Sequence, residues 1–110
     1  MPKSEGIWVV AACFNEQDVI TRFVERVLAV PGVDQLVLID DGSSDATVER
    51  IRSWMQGHSG SPVTLLELTR NFGKEAAMLA GLDHVNGRCA AAVLIDSDLQ
   101  HPPELIEEMV

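Results

Sequence analysis

Long apolar runs are absent from this sequence: the longest, Ile7 to Phe14, falls far short of the ~20 residues that a membrane-crossing helix needs. The start, Met1-Pro2-Lys3-Ser4-Glu5-Gly6, has no apolar stretch behind a basic residue, so it does not read as a secretory signal and a cytoplasmic location is expected. Cysteine is scarce too. Cys13 and Cys89 form no CxxC pair and have no histidine at ligand spacing, which excludes a disulfide framework or a zinc site and predicts buried free thiols. Positive charge is the third shortage, with 8 Lys and Arg against 17 Asp and Glu and a net charge of -9. Nucleic acids and anionic lipid surfaces reward clustered cations, so neither is an expected partner. A phosphate-bearing ligand has to arrive with a cation. The glycine fingerprint G-x-G-x-x-G is missing after the first apolar segment, where Cys13-Phe14-Asn15-Glu16 stands instead, and this argues against a dinucleotide-dependent dehydrogenase.

What is present is a 46% hydrophobic chain of 110 residues, enough for one packed domain. Four segments read as strands: Ile7 to Ala12, Gln35 to Ile39, Val63 to Leu68 and Cys89 to Ile95. The first, second and fourth are nearly continuous apolar runs, as in parallel strands covered on both faces. Helical spacing links them. Val19, Ile20, Phe23, Val24, Val27 and Leu28 make one stripe, stopped by Pro31-Gly32. Val48, Ile51 and Met55 make a second, with Ser43 or Ser44 as N-cap and the breaker run 57–62 as its end. Ala76, Ala77, Leu79, Ala80 and Val85 make a third, for which Asn86-Gly87 is expected as a left-handed stop. A fourth helix is expected from Pro102-Pro103 onward. The order βαβαβαβα predicts an α/β, Rossmann-like parallel sheet with flanking helices and right-handed crossovers. Cys13 would end the first strand and Cys89 begin the fourth, about 20 Å apart, so no disulfide is expected between them.

In such sheets ligands bind outside the carboxyl ends of the strands. Each polar cluster follows a strand: Asn15-Glu16, then Asp40-Asp41-Gly42-Ser43-Ser44-Asp45, then Arg70 to Lys74, then Asp96-Ser97-Asp98. Ser43, Ser44 and Asp45 are readable as helix caps, which makes Asp45→Asn a mild change. Two adjacent carboxylates ending an apolar strand, Asp40 and Asp41, suit a base or ribose. Asp96-Ser97-Asp98 is a D-x-D whose carboxylates can meet Mg²⁺ or Mn²⁺, with Gln100 and His101 as further oxygen or nitrogen donors. For His101 a solvent-facing or capping role is the plainer alternative. Arg70 and Lys74 flank Gly73 at a helix start and form the one basic cluster, with ion pairing to Glu67 or Glu75 as the competing use.

Phe14-Asn15-Glu16, Leu38 to Asp45, Arg70 to Ala77 and Asp96 to Glu104 together resemble family-2 glycosyltransferases of the GT-A fold, from about Trp8 to Val110. The Arg-Asn-Phe-Gly-Lys and Asp-x-Asp-Leu-Gln-His-Pro-Pro-Glu segments resemble the polyprenyl-phosphate branch of that family. The resemblance implies an inverting, metal-dependent transfer of sugar from a nucleotide diphosphate sugar of the UDP-glucose or GDP-mannose class to a polyprenyl phosphate. It implies that Asp41 reads the nucleobase, that Asp98 holds the metal with Asp96 and Gln100 beside it, and that Arg70 and Lys74 lie near the phosphates, with Asn15, Glu16 and Asp40 around the nucleotide. Ala12 and Phe14 depart from the proline and tyrosine common at those places, without removing a charge.

Family members run to about twice this length, so residues 1–110 are expected to be the nucleotide-sugar-binding part. The acceptor site, and membrane association at the cytoplasmic face, would lie in the missing region, and an uncovered fourth strand would favour self-association. The competing class is a phosphoacceptor receiver-like domain, for which Asp40-Asp41 and Asp96 are also suitable acids.

Overall fold

In the computed structural model, residues 4–86 and 89–96 are described, with backbone alone at 4–6, 89–91 and 96. The elements run β1 (Ser4–Cys13), α1 (Ile20–Leu28), β2 (Val33–Asp40), α2 (Thr47–Gly57), β3 (Val63–Glu67), α3 (Lys74–Val85) and β4 (Cys89–Asp96). The expected fourth helix and Asp98, Gln100 and His101 lie outside the described residues.

All strand pairs are parallel, in the order β3-β2-β1-β4. The chain first winds one way from β1 to β3, then crosses back over the sheet to place β4 beside β1. A receiver domain has the order 2-1-3-4-5, so this topology separates the two expected classes in favour of the Rossmann-like one. The order also makes β1 the centre, and its period-two alternation feeds two cores. Val9, Ala11 and Cys13 join Leu36, Leu38, Ile20, Phe23, Val24, Val27 and Ile51 on the side of α1 and α2. Val10 and Ala12 join Val37, Ile39, Ala77 and Val85 on the side of α3. Each fully buried Val, Leu or Ile contributes about 1.5–3 kcal/mol, so these runs, which lack polar alternation, account for the double cover.

α1 buries Ile20, Phe23, Val24 and Val27 at the spacing its sequence announces. α3 departs from expectation, because Ala77, Gly81 and Val85 are buried while Leu79 is 66% exposed. Gly81 explains the change of face. A Cβ there would stand 2.5 Å from Ile39 Cδ1 and 2.5 Å from Val10 Cγ1, so α3 lies against the sheet along its glycine. One cap differs as well. α2 begins at Thr47 behind Ala46, with no side-chain cap from Ser43 or Ser44. Asn86 has φ -55 and is not itself left-handed, and Gly87, the other residue of the expected stop, lies outside the described residues.

The two cysteines lie apart. Cys89 is paired with Ser4 at the beginning of β1, whereas Cys13 ends that strand, a separation of roughly 30 Å by strand rise. Cys13 is buried and free.

Candidate functional site

Sheet register brings the expected residues to one edge. Cys13 is opposite Asp40 on one flank of β1 and Ala12 is opposite Asp96 on the other. With strands ~4.8 Å apart, the ends of β2 and β4 stand roughly 10 Å from each other across β1. Asp40 and Asp41 are both 3% exposed, and burying carboxylates without partners would be costly. Each has partners.

Asp40 accepts hydrogen bonds from the backbone N–H of Ser43 at 3.0 Å and from the Ser43 hydroxyl. It also lies beside the Cys13 thiol, and burial first, then the Asp40 charge, push that thiol well above the usual cysteine range. The serine expected to cap a helix therefore holds an acid of its own loop. Ser43 Oγ in turn accepts the Asn15 N–H at 2.9 Å.

Asn15 ties the loop after β1 to the loop after β2. It adopts φ 52, unusual for a residue with a side chain but tolerated by Asn. Its Oδ1 accepts the N–H groups of Ser44 at 2.9 Å and Asp45 at 3.3 Å. Glu16 N–H donates to Thr47 Oγ1 at 2.8 Å, Gln17 N–H to Asp45 Oδ2 at 3.3 Å, and Ala46 N–H to Gln17 Oε1 at 3.0 Å. Asp45 also accepts Thr47 N–H at 2.9 Å and the Thr47 hydroxyl. Desolvation opposes its ionisation, but the bonds from Thr47 and Gln17 outweigh this and hold its carboxyl below the usual carboxylate range. Gln17 and Thr47 carry this lacing, and sequence reasoning missed both. A polar residue at a helix start has many uses, and its cross-loop partner, about 30 positions away, leaves no local signal.

Asp41 reaches the other way, to the loop after β3. Its Oδ1 accepts Phe72 N–H at 2.8 Å, and its Oδ2 accepts Gly73 N–H at 3.1 Å and Asn71 Nδ2 at 3.2 Å. Asn71 Nδ2 also donates to the Asp41 carbonyl at 3.1 Å. The loops meet without a side chain between them. A Cβ on Gly42, where φ is 74, would stand 2.4 Å from Arg70 C and 2.4 Å from Asn71 N. Asn71 belongs to the recognised five-residue segment, but its clasp of Asp41 was not foreseen.

Arg70 and Lys74 are exposed at this edge. The Arg70 guanidinium carbon is 4.6 Å from the centroid of the half-exposed Phe72 ring, a contact of about 0.5–1 kcal/mol at such a site. Glu67, one of the two expected competitors for these cations, is paired with Arg52. Among the described residues no group of three or more His, Cys, Asp or Glu is arranged to hold a metal ion. The expected donors are instead Asp96, whose backbone ends β4, with Asp98 and Gln100 beyond it. Carboxylate and amide oxygens suit a hard divalent cation such as Mg²⁺ or Mn²⁺, and of these three donors the described residues include the backbone of Asp96 alone, at the carboxyl end of β4.

Known proteins resemble this chain in sequence and in fold. The chain is 42% identical over 106 residues to dodecaprenyl-phosphate galacturonate synthase of Rhizobium johnstonii, covering 93% of this chain and 30% of that protein. It is 38% identical over 106 residues to undecaprenyl-phosphate 4-deoxy-4-formamido-L-arabinose transferase of Edwardsiella ictaluri, covering 93% and 32%. The chain thus spans about a third of the length of these relatives, which are longer than the doubling expected from sequence. Among solved structures, the mannosyltransferase PcManGT of Pyrobaculum calidifontis, in complex with GDP-Man and Mn²⁺, superposes with a TM-score of 0.73 at 25% identity, covering 86% of this chain and 28% of that one. TarS of S. aureus in complex with UDP-GlcNAc shares the fold, with a TM-score of 0.71 at 18% identity. The Glycosyl transferase family 2 profile matches residues 8–110, and this chain belongs to that family.

Proposed function

We propose that residues 1–110 form the donor-binding part of an inverting, metal-dependent glycosyltransferase that moves a sugar from a nucleotide diphosphate sugar to a polyprenyl phosphate. The observation that carries the reading is the carboxyl edge itself, where the loops after β1, β2 and β3 are hydrogen-bonded into one frame beside the end of β4. A frame fixed before the ligand arrives spares the cost of ordering loops on binding. The relatives named for polyprenyl-phosphate substrates, and the solved neighbour with GDP-Man and Mn²⁺, support the acceptor and donor classes.

Within the frame, Asn15, Glu16, Asp40 and Asp41 surround the nucleoside, and Arg70 and Lys74 attend the diphosphate. Asp96, Asp98 and Gln100 would hold Mg²⁺ or Mn²⁺, which supplies Lewis-acid stabilisation of charge on the leaving diphosphate. A phosphate monoester has a second pKa near ~6, so a polyprenyl phosphate is largely ionised at neutral pH and needs little help from a base. The chain's task is then to orient the donor and shield its charge. Among the described residues no helix is long and apolar enough to cross a membrane. Acceptor binding and contact with the cytoplasmic face of a membrane belong, in this proposal, to the remainder of the protein.

Calorimetric titration with UDP, GDP and dTDP, with and without Mn²⁺, tests the reading. The expected outcome is saturable, Mn²⁺-dependent binding of one diphosphate, weakened ~10-fold or more by Asp98→Asn, the scale of a lost charge-assisted contact. Equal binding by parent and variant, indifferent to chelator, would remove the metal from the reading.

A further inference from the structure

The clasp around Asp41 assigns it a task beyond the nucleobase contact that family resemblance suggests. Consecutive N–H groups at the start of a helix are the donors a phosphate ordinarily seeks. Here the two N–H groups just before α3, on Phe72 and Gly73, point at the carboxylate of Asp41, and the Asn71 amide closes a third bond. Three of the roughly four acceptor positions on a carboxylate are thereby filled from one loop. The group is 3% exposed, so water screens these bonds little. Gly73 sits at φ 101 and ψ 152, a conformation open to glycine, and nothing lies within 4 Å of where a Cβ would be. The hydrogen bonds from Phe72 and Gly73 to Asp41 tie that bend down. A Cβ on Gly42 would collide with the Arg70–Asn71 peptide, so the loop after β2 meets that peptide with no room for a side chain. The loop is thus gripped at three successive residues, Asn71, Phe72 and Gly73, between the two cations of the edge.

We propose that Asp41 is a positioning residue for diphosphate recognition: a buried internal anion takes up the loop's amides and fixes the bearing of Arg70 and Lys74. This rests on the nucleotide-binding reading above. The amides of Phe72 and Gly73 are thereby withdrawn from a diphosphate, and Arg70 and Lys74 flank them as its side-chain donors. Arg70 stands over Phe72, whose own N–H is one of the two gripped by Asp41, so the clasp and the guanidinium share one residue. Loosening the clasp spreads Arg70 and Lys74 over many bearings and removes the advantage of the diphosphate over the bare nucleoside.

The experiment uses the intact protein at saturating Mn²⁺ and compares uridine with UDP and guanosine with GDP by calorimetry. The readout is the ratio of nucleoside Kd to diphosphate Kd. Asp41→Asn is expected to shrink that ratio ~10-fold, and Asn71→Ala, a change at an exposed residue, to shrink it less in the same direction. In an Arg70→Ala background, Asp41→Asn is expected to shrink it little further, because the two act through one loop. General destabilisation would weaken nucleoside and diphosphate together and leave the ratio alone. An unchanged ratio in Asp41→Asn overturns the proposal. Amide hydrogen exchange without nucleotide supplies a second arm, in which Phe72 and Gly73 are expected to lose protection in Asp41→Asn, and parent-like protection there overturns the clasp. A parent that binds neither diphosphate sinks the functional reading, and the exchange data then decide the clasp by themselves.

Discussion

Asp45 sits among donors from two loops, with Thr47 N–H, the Thr47 hydroxyl and Gln17 N–H all directed at its carboxylate. An amide at this position keeps one acceptor oxygen and presents an NH₂ where a donor already points. Asp45→Asn is therefore expected to lower stability by about 1 kcal/mol, under the range of about 1.5–3 kcal/mol for charged hydrogen bonds because the site is partly solvated. Urea unfolding checks this, and a variant matching the parent midpoint would return Asp45 to the mild cap that sequence alone suggests. The sign with pH follows from the depressed carboxyl. Its contribution is complete above the unfolded carboxylate value of about 4 and is lost as pH falls through the folded value. The gap between parent and variant should thus narrow in acid. Partners such as Gln17 and Thr47 explain why residue roles were less legible than residue types: Asp, Ser and Asn at a loop announce polarity, while their choice between a cap and a cross-loop bond is settled by another segment.

At the scale of elements, the apolar runs located every described strand, and the structure extended three of them, as with β1 at Ser4–Cys13 against Ile7 to Ala12, while ending β3 one residue early, at Glu67 against Leu68. Helix faces were harder. α1 was legible because its polar side contrasts with Ile20, Phe23, Val24 and Val27, whereas α3 reads as apolar almost all round, so its pattern could not choose between Leu79 and Gly81 as the buried side. Distance of approach chose. Gly81→Ala is expected to destabilise by ~1–3 kcal/mol through overpacking against Ile39 and Val10, partly offset by a gain of about 1 kcal/mol in helix propensity. A thermal melt showing a net rise in Tm would mean that α3 can lift from the sheet at little cost.

At the scale of the whole molecule, cover is uneven. Val93 and Ile95 are buried on the side of α1 and α2, while Leu94 is 44% exposed and Ala92 is exposed on the side of α3, and among the described residues β4 is paired only with β1. An apolar edge of this kind invites pairing with another chain. Sedimentation of the 110-residue chain expressed by itself is expected to show association that grows with concentration and weakens on Leu94→Lys. A monomer at every concentration would show that this face is covered.

The central place of β1 also has a consequence in time. Its contacts with β2 close a short loop, whereas the pairing of Ser4 with Cys89 spans most of the chain, and closures over longer separations come later in folding. A ribosome releasing this protein therefore delivers Asn15, Asp41 and the Arg70 loop before the acids that follow β4. In the function proposed above, the nascent chain has its nucleoside frame well before it can hold a metal.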